Sequence, residues 1–142
     1  MKIGVFDSGV GGKAVADAIS SALPEHEIVL KQDEEHVPYG TKSPKHIYDF
    51  ISPIFQQMID DGCQVIVVAC NTVTTTLIDK IRENFNVPFV AVEPMVKPAA
   101  EMTKSGVIAV CATPATLNSD RYNWLKNEYA KHVKFLEPDY ND

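Results

Sequence analysis

Short apolar runs alternate with longer stretches of helical periodicity along this chain. Lys2–Phe6, His26–Lys31 and Gln64–Cys70 are rich in β-branched and other apolar residues, which is typical of strands. Between these runs, apolar residues recur at three- and four-residue spacing, which indicates amphipathic helices. Strands that alternate with helices are typical of βα units around a parallel sheet. The pattern therefore predicts an α/β fold in which a mainly parallel sheet is flanked by helices.

The alternation continues through the second part of the chain. Val87–Val92 and Gly106–Cys111 are predicted as strands, and His132–Leu136 is predicted as a further strand. An amphipathic helix is predicted near Leu117–Ala130. Neither an internal repeat nor a low-complexity tract interrupts the pattern, so the chain is expected to fold throughout its length.

Length and charge narrow the possible partners of the chain. It has 142 residues, with 13 Lys and Arg against 19 Asp and Glu, and a net charge of -6. The basic residues are scattered and form no stripe, so no nucleic-acid partner is expected. The apolar runs are far shorter than the roughly 20 residues that a membrane-spanning helix needs, so no membrane partner is expected.

The three cysteines indicate free thiols. Cys63, Cys70 and Cys111 are an odd number, and their spacing fits neither a CxxC metal site nor a disulfide framework. The four histidines are dispersed and are interpreted as ordinary surface or loop residues, so no metal site is expected. Free thiols are typical of a reducing compartment, and the predicted location is cytoplasmic.

In open parallel sheets, ligands bind beyond the carboxyl ends of the strands, and Cys70 ends a predicted strand there. A thiol at the start of the following helix meets the positive end of the helix dipole, which favours its use as a base or nucleophile. A small core residue has the same pattern, and both interpretations remain open on spacing alone. Cys63 and Cys111 lack comparable polar neighbours and are interpreted as packing residues.

The glycine-rich turn Asp7–Gly12 follows the first predicted strand. It lacks the third glycine of a GxGxxG motif and the Lys-Ser/Thr pair of a Walker loop, so a nucleotide site is not favoured. Its backbone amides could hold a carboxylate, or the segment could be a plain tight turn. Asp33, after the second strand, is expected near the same edge of the sheet.

Taken together, these motifs occur in the order found in one family. They are Gly4–Gly12, Val37–Thr41, Ala69–Thr72, Val92–Pro94 with Lys97–Ala99, and Ala112–Thr116. On these residues the chain resembles the glutamate racemases of the aspartate/glutamate racemase superfamily, from Met1 to about Tyr122. The resemblance implies a cofactor-independent isomerase that interconverts L- and D-glutamate and supplies D-glutamate for peptidoglycan.

The resemblance also implies roles for particular residues. In the family, two cysteines exchange a proton with opposite faces of Cα, and Cys70 matches the first of them. Asp7 matches the carboxylate beside this cysteine. The positions that match substrate-binding residues are Ser8, Pro38, Tyr39, Gly40, Asn71, Thr72 and Thr116. Glu34 stands where the family commonly has Thr, next to the matching Asp33.

One motif of the family is missing from this sequence. The second catalytic cysteine lies in a Gly-Cys-Thr-His segment, which does not occur here. The resemblance therefore implies a racemase-type first lobe at residues 1–97 and the start of a second lobe at 98–142. The chain is expected to be a shortened racemase homologue that forms a homo-oligomer and takes its second proton donor from another polypeptide or a partner subunit. The alternatives are a non-catalytic amino-acid-binding or regulatory remnant, and an aspartate racemase.

Overall fold

The computed structural model describes residues 1–140, and strands and helices alternate along them. The strands are β1 (Lys2–Asp7), β2 (Glu27–Gln32), β3 (Val65–Val68), β4 (Phe89–Ala91), β5 (Val107–Ala109) and β6 (Lys134–Leu136). The helices are α1 (Gly12–Ala22), α2 (Pro44–Asp60), α3 (Asn71–Asn84), α4 (Val96–Met102), α5 (Pro114–Leu117) and α6 (Asp120–Tyr129). Every strand pair is parallel in this part of the chain, which confirms the predicted α/β class.

The first sheet has the strand order β2-β1-β3-β4. Successive residues of β1 point to opposite faces, so Val5 packs with Val67 beneath α1 while Phe6 packs with Phe55 of α2 on the other side. Both faces of β1 are thus buried, as expected for a parallel sheet covered by helices. This arrangement explains why β1 and β3 read as nearly continuous apolar runs.

The second sheet consists of β5 and β6, with Ile108 opposite Phe135. Its core cluster includes Tyr122 and Leu125 from α6. Val96 and Ala100 of α4 also pack in this cluster, and α4 spans the predicted division at residue 97. The division of the chain into residues 1–97 and 98–142 stays a prediction.

Helix boundaries follow local capping chemistry. Ser43 caps α2 by accepting a hydrogen bond from the His46 backbone amide at 3.3 Å, and Pro44 occupies the first turn. The helix predicted near Leu117–Ala130 is confirmed as α6, which starts later than predicted because Ser119 caps it by accepting from the Tyr122 amide at 3.2 Å. Across residues 1–140, no helix combines the length and apolar character that a membrane crossing requires.

The cysteines differ in their surroundings. Cys63 is buried, which confirms its interpretation as a packing residue. Cys111 is exposed, and the interpretation of Cys111 as a packing residue inside a strand is wrong. The strand β5 ends at Ala109, so Cys111 lies beyond the paired segment and outside the second core cluster.

Candidate active site

The candidate site lies at the carboxyl ends of β1 and β3. These strands are neighbours, with Phe6 opposite Val68, and the Ala69 amide donates to the Phe6 carbonyl at 2.8 Å. Asp7 is the last residue of β1, while Cys70 directly precedes α3. Adjacent parallel strands therefore bring these two parts of the sequence to one edge of the sheet.

A side-chain contact between Ser8 and Cys70 joins the ends of the two strands. The Ser8 Oγ lies 3.2 Å from the Cys70 Sγ, a distance at which either atom can donate the hydrogen bond. Cys70 is 5% exposed, so its sulfur is shielded from bulk water while it stays at the end of the sheet. A hydroxyl in this position can donate to a thiolate and accept from a thiol, and it thus serves both protonation states of the cysteine.

The glycine turn holds the Asp7 carboxylate in place. The Gly12 amide, at the start of α1, donates to Asp7 Oδ2 at 2.8 Å. A Cβ atom on Gly12 would lie 2.5 Å from the Asp7 Cβ, so only glycine allows this close approach. The turn therefore binds a carboxylate of the chain itself, and it fixes an acidic side chain that is 8% exposed.

Tyr39 lies in a short 3₁₀ turn, Tyr39–Thr41, that follows a cis Val37–Pro38 peptide bond. Its hydroxyl donates to Asp33 Oδ2 at 2.5 Å, and the residue is 2% exposed. Burial raises the pKa of Tyr39, and the hydrogen bond to Asp33 adds to the effect. The phenol therefore stays protonated and acts as a donor at neutral pH.

Asp33 lies near this edge of the sheet, as predicted, because its backbone amide donates to the Asp7 carbonyl at 3.2 Å. Burial on its own would raise the pKa of Asp33, but hydrogen bonds from Tyr39 and His36 and the charge of His36 together lower it. The Asp33 carboxylate is thus an ionised group whose partners are supplied by its own loop.

His36 has contacts that the sequence interpretation missed. It was expected to be an ordinary loop residue, but its Nδ1 lies 2.8 Å from Asp33 Oδ1. Its ring also stacks on Phe50 of α2, with ring centroids 3.9 Å apart and an interplanar angle of 15°. The three-residue spacing from Asp33 to His36 was the available signal, since it permits a side-chain contact within a turn.

Hydroxyl groups from distant segments meet at Thr113. Its Oγ1 lies 3.0 Å from the Thr72 Oγ1, and it donates to the Thr116 Oγ1 at 3.2 Å. Gly40 also packs against Thr113. Three of the predicted substrate-binding residues, Gly40, Thr72 and Thr116, thus surround a threonine of the Ala112–Thr116 motif that was not predicted as a site residue.

The predicted site residues have different surroundings in the structure. Asp7, Ser8 and Cys70 lie at the ends of β1 and β3, and Tyr39 is held by Asp33. The remaining residues include two exposed positions, Pro38 in the loop and Asn71 at the first turn of α3. The roles assigned to all these residues stay predictions.

A cavity of about 1090 Å³ lies between the start of α2, the middle of α3, and α5 with α6. Its lining includes Gly40, Lys42 and Arg121, but not Cys70. In the part of the chain that the structure describes, no group of three or more His, Cys, Asp and Glu side chains is arranged to hold a metal ion. The acid–base groups at the ends of β1 and β3 therefore form the best candidate for a chemical centre.

A family model and curated proteins match this chain over most of its length. The family model described as Asp/Glu/Hydantoin racemase matches residues 12–133. The glutamate racemase of Ralstonia pickettii is 42% identical over 120 residues, which are 84% of this chain and 43% of that protein. The glutamate racemase of Pseudomonas aeruginosa PAO1 is 41% identical over 138 residues, which are 96% of this chain and 52% of that protein. The chain spans about half the length of the curated relatives it matches.

Solved structures show the same relationship. The glutamate racemase of Escherichia coli, in complex with L-glutamate and the activator UDP-MurNAc-ala, is similar with a TM-score of 0.88 and 34% identity. The match covers 96% of this chain and 52% of the Escherichia coli chain. The glutamate racemase of Aquifex pyrophilus gives a TM-score of 0.84 at 34% identity, covering 99% of this chain and 57% of the other.

Proposed function

The chain belongs to the Asp/Glu/Hydantoin racemase family, and from that premise we propose that it carries the first-cysteine half of a glutamate racemase site. The observation that carries the proposal is the 3.2 Å contact between Ser8 Oγ and Cys70 Sγ. It lies at the sheet edge that Asp7 also occupies. A thiol beside a hydroxyl and a carboxylate can serve as the acid–base group that proton transfer at an amino-acid Cα requires.

In the proposed reaction, the Cys70 thiolate removes the proton from Cα of glutamate and becomes a thiol. The electron pair of the broken C–H bond moves into the substrate carboxylate as Cα becomes planar. A second thiol then donates a proton to the opposite face of Cα, and the configuration is inverted. The Asp7 carboxylate relays a proton between the Cys70 sulfur and solvent. The Ser8 hydroxyl keeps its hydrogen bond to this sulfur in the thiol and in the thiolate form.

The negative charge that develops on the substrate carboxylate must be stabilised by hydrogen-bond donors. We assign this role to the hydroxyl of Thr72, the amide of Asn71 and the backbone of Tyr39 and Gly40, with Thr116 and Pro38 completing the cradle. Glutamate is the proposed substrate, because the curated relatives are glutamate racemases and the Escherichia coli relative was solved with L-glutamate. Aspartate is the competing substrate in the test below.

The second proton donor is proposed to come from another polypeptide or from a partner subunit. Cys63 precedes β3 and so lies at the opposite edge of the sheet from Cys70, and burial raises the pKa of its thiol. The proposed assembly is a homo-oligomer in the cytoplasm that supplies D-glutamate for peptidoglycan. Light scattering combined with a chirality assay tests it: racemisation by a strict monomer of this chain would contradict a donor in trans.

The test of the proposed chemistry is solvent-deuterium incorporation at Cα of D- and L-glutamate and D- and L-aspartate, followed by NMR in D₂O. The expected result is exchange into glutamate by the 142-residue chain and by Cys111→Ser, an exposed-cysteine control, and no exchange by Cys70→Ser. Faster exchange into aspartate than into glutamate would show that aspartate is the substrate. Tight glutamate binding without exchange, unchanged by Cys70→Ser, would contradict the enzyme and indicate an amino-acid-binding protein.

A further inference from the structure

We propose that His36 is a positioning residue of this site, which holds the Asp33 carboxylate against the Tyr39 hydroxyl and so fixes the backbone at Gly40 for substrate binding. The inference rests on the proposed function, because that backbone is the proposed receptor of the substrate carboxylate. It adds a residue outside the shared motifs on which the family resemblance rests.

The first step is the contact between His36 and Asp33. His36 Nδ1 lies 2.8 Å from Oδ1 and 3.0 Å from Oδ2 of the same carboxylate. An ionised carboxylate only accepts hydrogen bonds, so Nδ1 carries the proton and donates. Asp33 is 6% exposed, and water cannot easily replace a missing donor at such a site.

The second step is the fixed plane of the His36 ring. The ring stacks on Phe50 at 3.9 Å between centroids and 15° between planes. Phe50 belongs to α2, which is anchored in the first core cluster by Ile47 and Ile51. The imidazole therefore cannot swing freely, and its Nδ1 keeps one direction toward Asp33.

The third step leads from Asp33 to the site. The Asp33 amide is tied to the Asp7 carbonyl, and the Asp33 carboxylate accepts from the Tyr39 hydroxyl at 2.5 Å. Gly40 follows Tyr39 and is held on its other side by Thr113. The segment at Tyr39 and Gly40 is thus fixed by a carboxylate whose orientation depends on His36.

Two variants separate the two properties of His36. His36→Phe keeps an aromatic ring to stack on Phe50 but loses the donor, whereas His36→Gln keeps an amide donor and loses the ring. His46→Phe is the matched control, because His46 is exposed on α2. Circular dichroism at the temperature of the assay tests whether each variant is folded. A loss of glutamate binding in a folded variant then cannot be due to unfolding.

The readouts are the dissociation constant for L-glutamate, from NMR titration, and the Cα exchange rate at saturating glutamate. Loss of the donor in His36→Phe is expected to weaken glutamate binding by about tenfold, the effect of one hydrogen bond to a charged group. The exchange rate at saturation is expected to change by less than about threefold, since Cys70 is untouched. His46→Phe is expected to bind glutamate within about threefold of the parent chain. His36→Gln, whose donor has no stacked ring to orient it, is expected to bind glutamate with an affinity between those of His36→Phe and the parent chain.

The amide resonance of Gly40 distinguishes failure of the positioning role of His36 from failure of the proposed function. The backbone amide resonance of Gly40, in the chain without ligand, is expected to shift in His36→Phe and to stay in place in His46→Phe. An unchanged Gly40 resonance in His36→Phe, or unchanged glutamate affinity, would overturn the positioning role. A shifted Gly40 resonance in a chain that neither binds nor exchanges glutamate would overturn the proposed function while supporting the link from His36 to Gly40.

Discussion

Gly40 lies so close to Thr113 that a Cβ atom on Gly40 would stand 2.4 Å from the Thr113 Cβ and 2.6 Å from its Cγ2. Thr113 is itself fixed, because its Oγ1 contacts the Thr72 Oγ1 at 3.0 Å. The contact joins the loop after β2 to the segment after β5. Two sequence motifs that are far apart along the chain therefore meet through a residue that must lack a side chain.

Gly40→Ala is expected to destabilise the fold. Its new methyl group must displace Thr113, and overpacking of this kind lowers the free energy of unfolding by about 1–3 kcal/mol. Urea denaturation measures the change. Gly9→Ala is the matched control, since a Cβ atom on Gly9 meets no atom within 4 Å. Equal urea midpoints for Gly40→Ala and the parent chain would show that Thr113 moves aside without cost.

Ser8→Ala is expected to slow Cα exchange while leaving the fold intact. The variant removes the hydroxyl 3.2 Å from Cys70 Sγ, and a hydrogen bond to a charged group contributes about 1.5–3 kcal/mol, or roughly tenfold or more in rate. Deuterium incorporation into glutamate measures the rate. Ser21→Ala, at an exposed serine of α1, is the control. An exchange rate unchanged in Ser8→Ala would remove Ser8 from the mechanism.

Cys63 and Cys111 are expected to differ in their reaction with iodoacetamide. Cys111 is exposed and should be alkylated first in the native chain. Cys63 is 3% exposed, and burial raises the pKa of its thiol, so it should react only after unfolding. Peptide mass spectrometry over time, with and without denaturant, follows each site. Equal native rates at Cys63 and Cys111 would contradict the burial of Cys63.

Asp33→Asn is expected to reduce stability at neutral pH and to lose that effect in acid. The folded pKa of Asp33 lies below its unfolded value, so the ionised carboxylate stabilises the fold above the unfolded pKa. This stabilisation is lost as the pH falls through the folded pKa. Asp33→Asn should therefore cost about 1–3 kcal/mol at pH 7, with a smaller difference from the parent below about pH 4.

Denaturant titrations of Asp33→Asn and the parent chain at pH 7 and pH 3 test whether the difference in their stability shrinks in acid. Glu34→Gln, which changes the exposed neighbouring carboxylate, is the control at both pH values. A stability difference for Asp33→Asn that widens in acid would contradict the account of Asp33.

Local chemistry made the first sheet predictable. The first strand was predicted at Lys2–Phe6 and observed at Lys2–Asp7, and the second differs by one residue at each end. A strand that is buried on both faces consists of consecutive apolar residues, and such a run can be recognised directly in the sequence. The α/β class and the family were therefore both evident from sequence and are confirmed.

Contacts between distant residues were harder to predict. The exposure of Cys111 depends on where the pairing of β5 with β6 stops. The stacking of His36 on Phe50 joins a loop to α2. Neither feature follows from residue type or spacing, because both depend on tertiary packing.

The most direct test of the account is the stereochemistry of Cα exchange by the 142-residue chain on its own. With one thiol base at the ends of β1 and β3, a monomer of the chain should incorporate deuterium into glutamate with retention of configuration, and inversion should appear only where a second polypeptide or subunit supplies the opposite thiol. Cys70→Ser should abolish the exchange in either case. Two results would contradict the assignment of Cys70 as the base. One is deuterium exchange that persists in Cys70→Ser, and the other is a parent chain that exchanges neither D- nor L-glutamate.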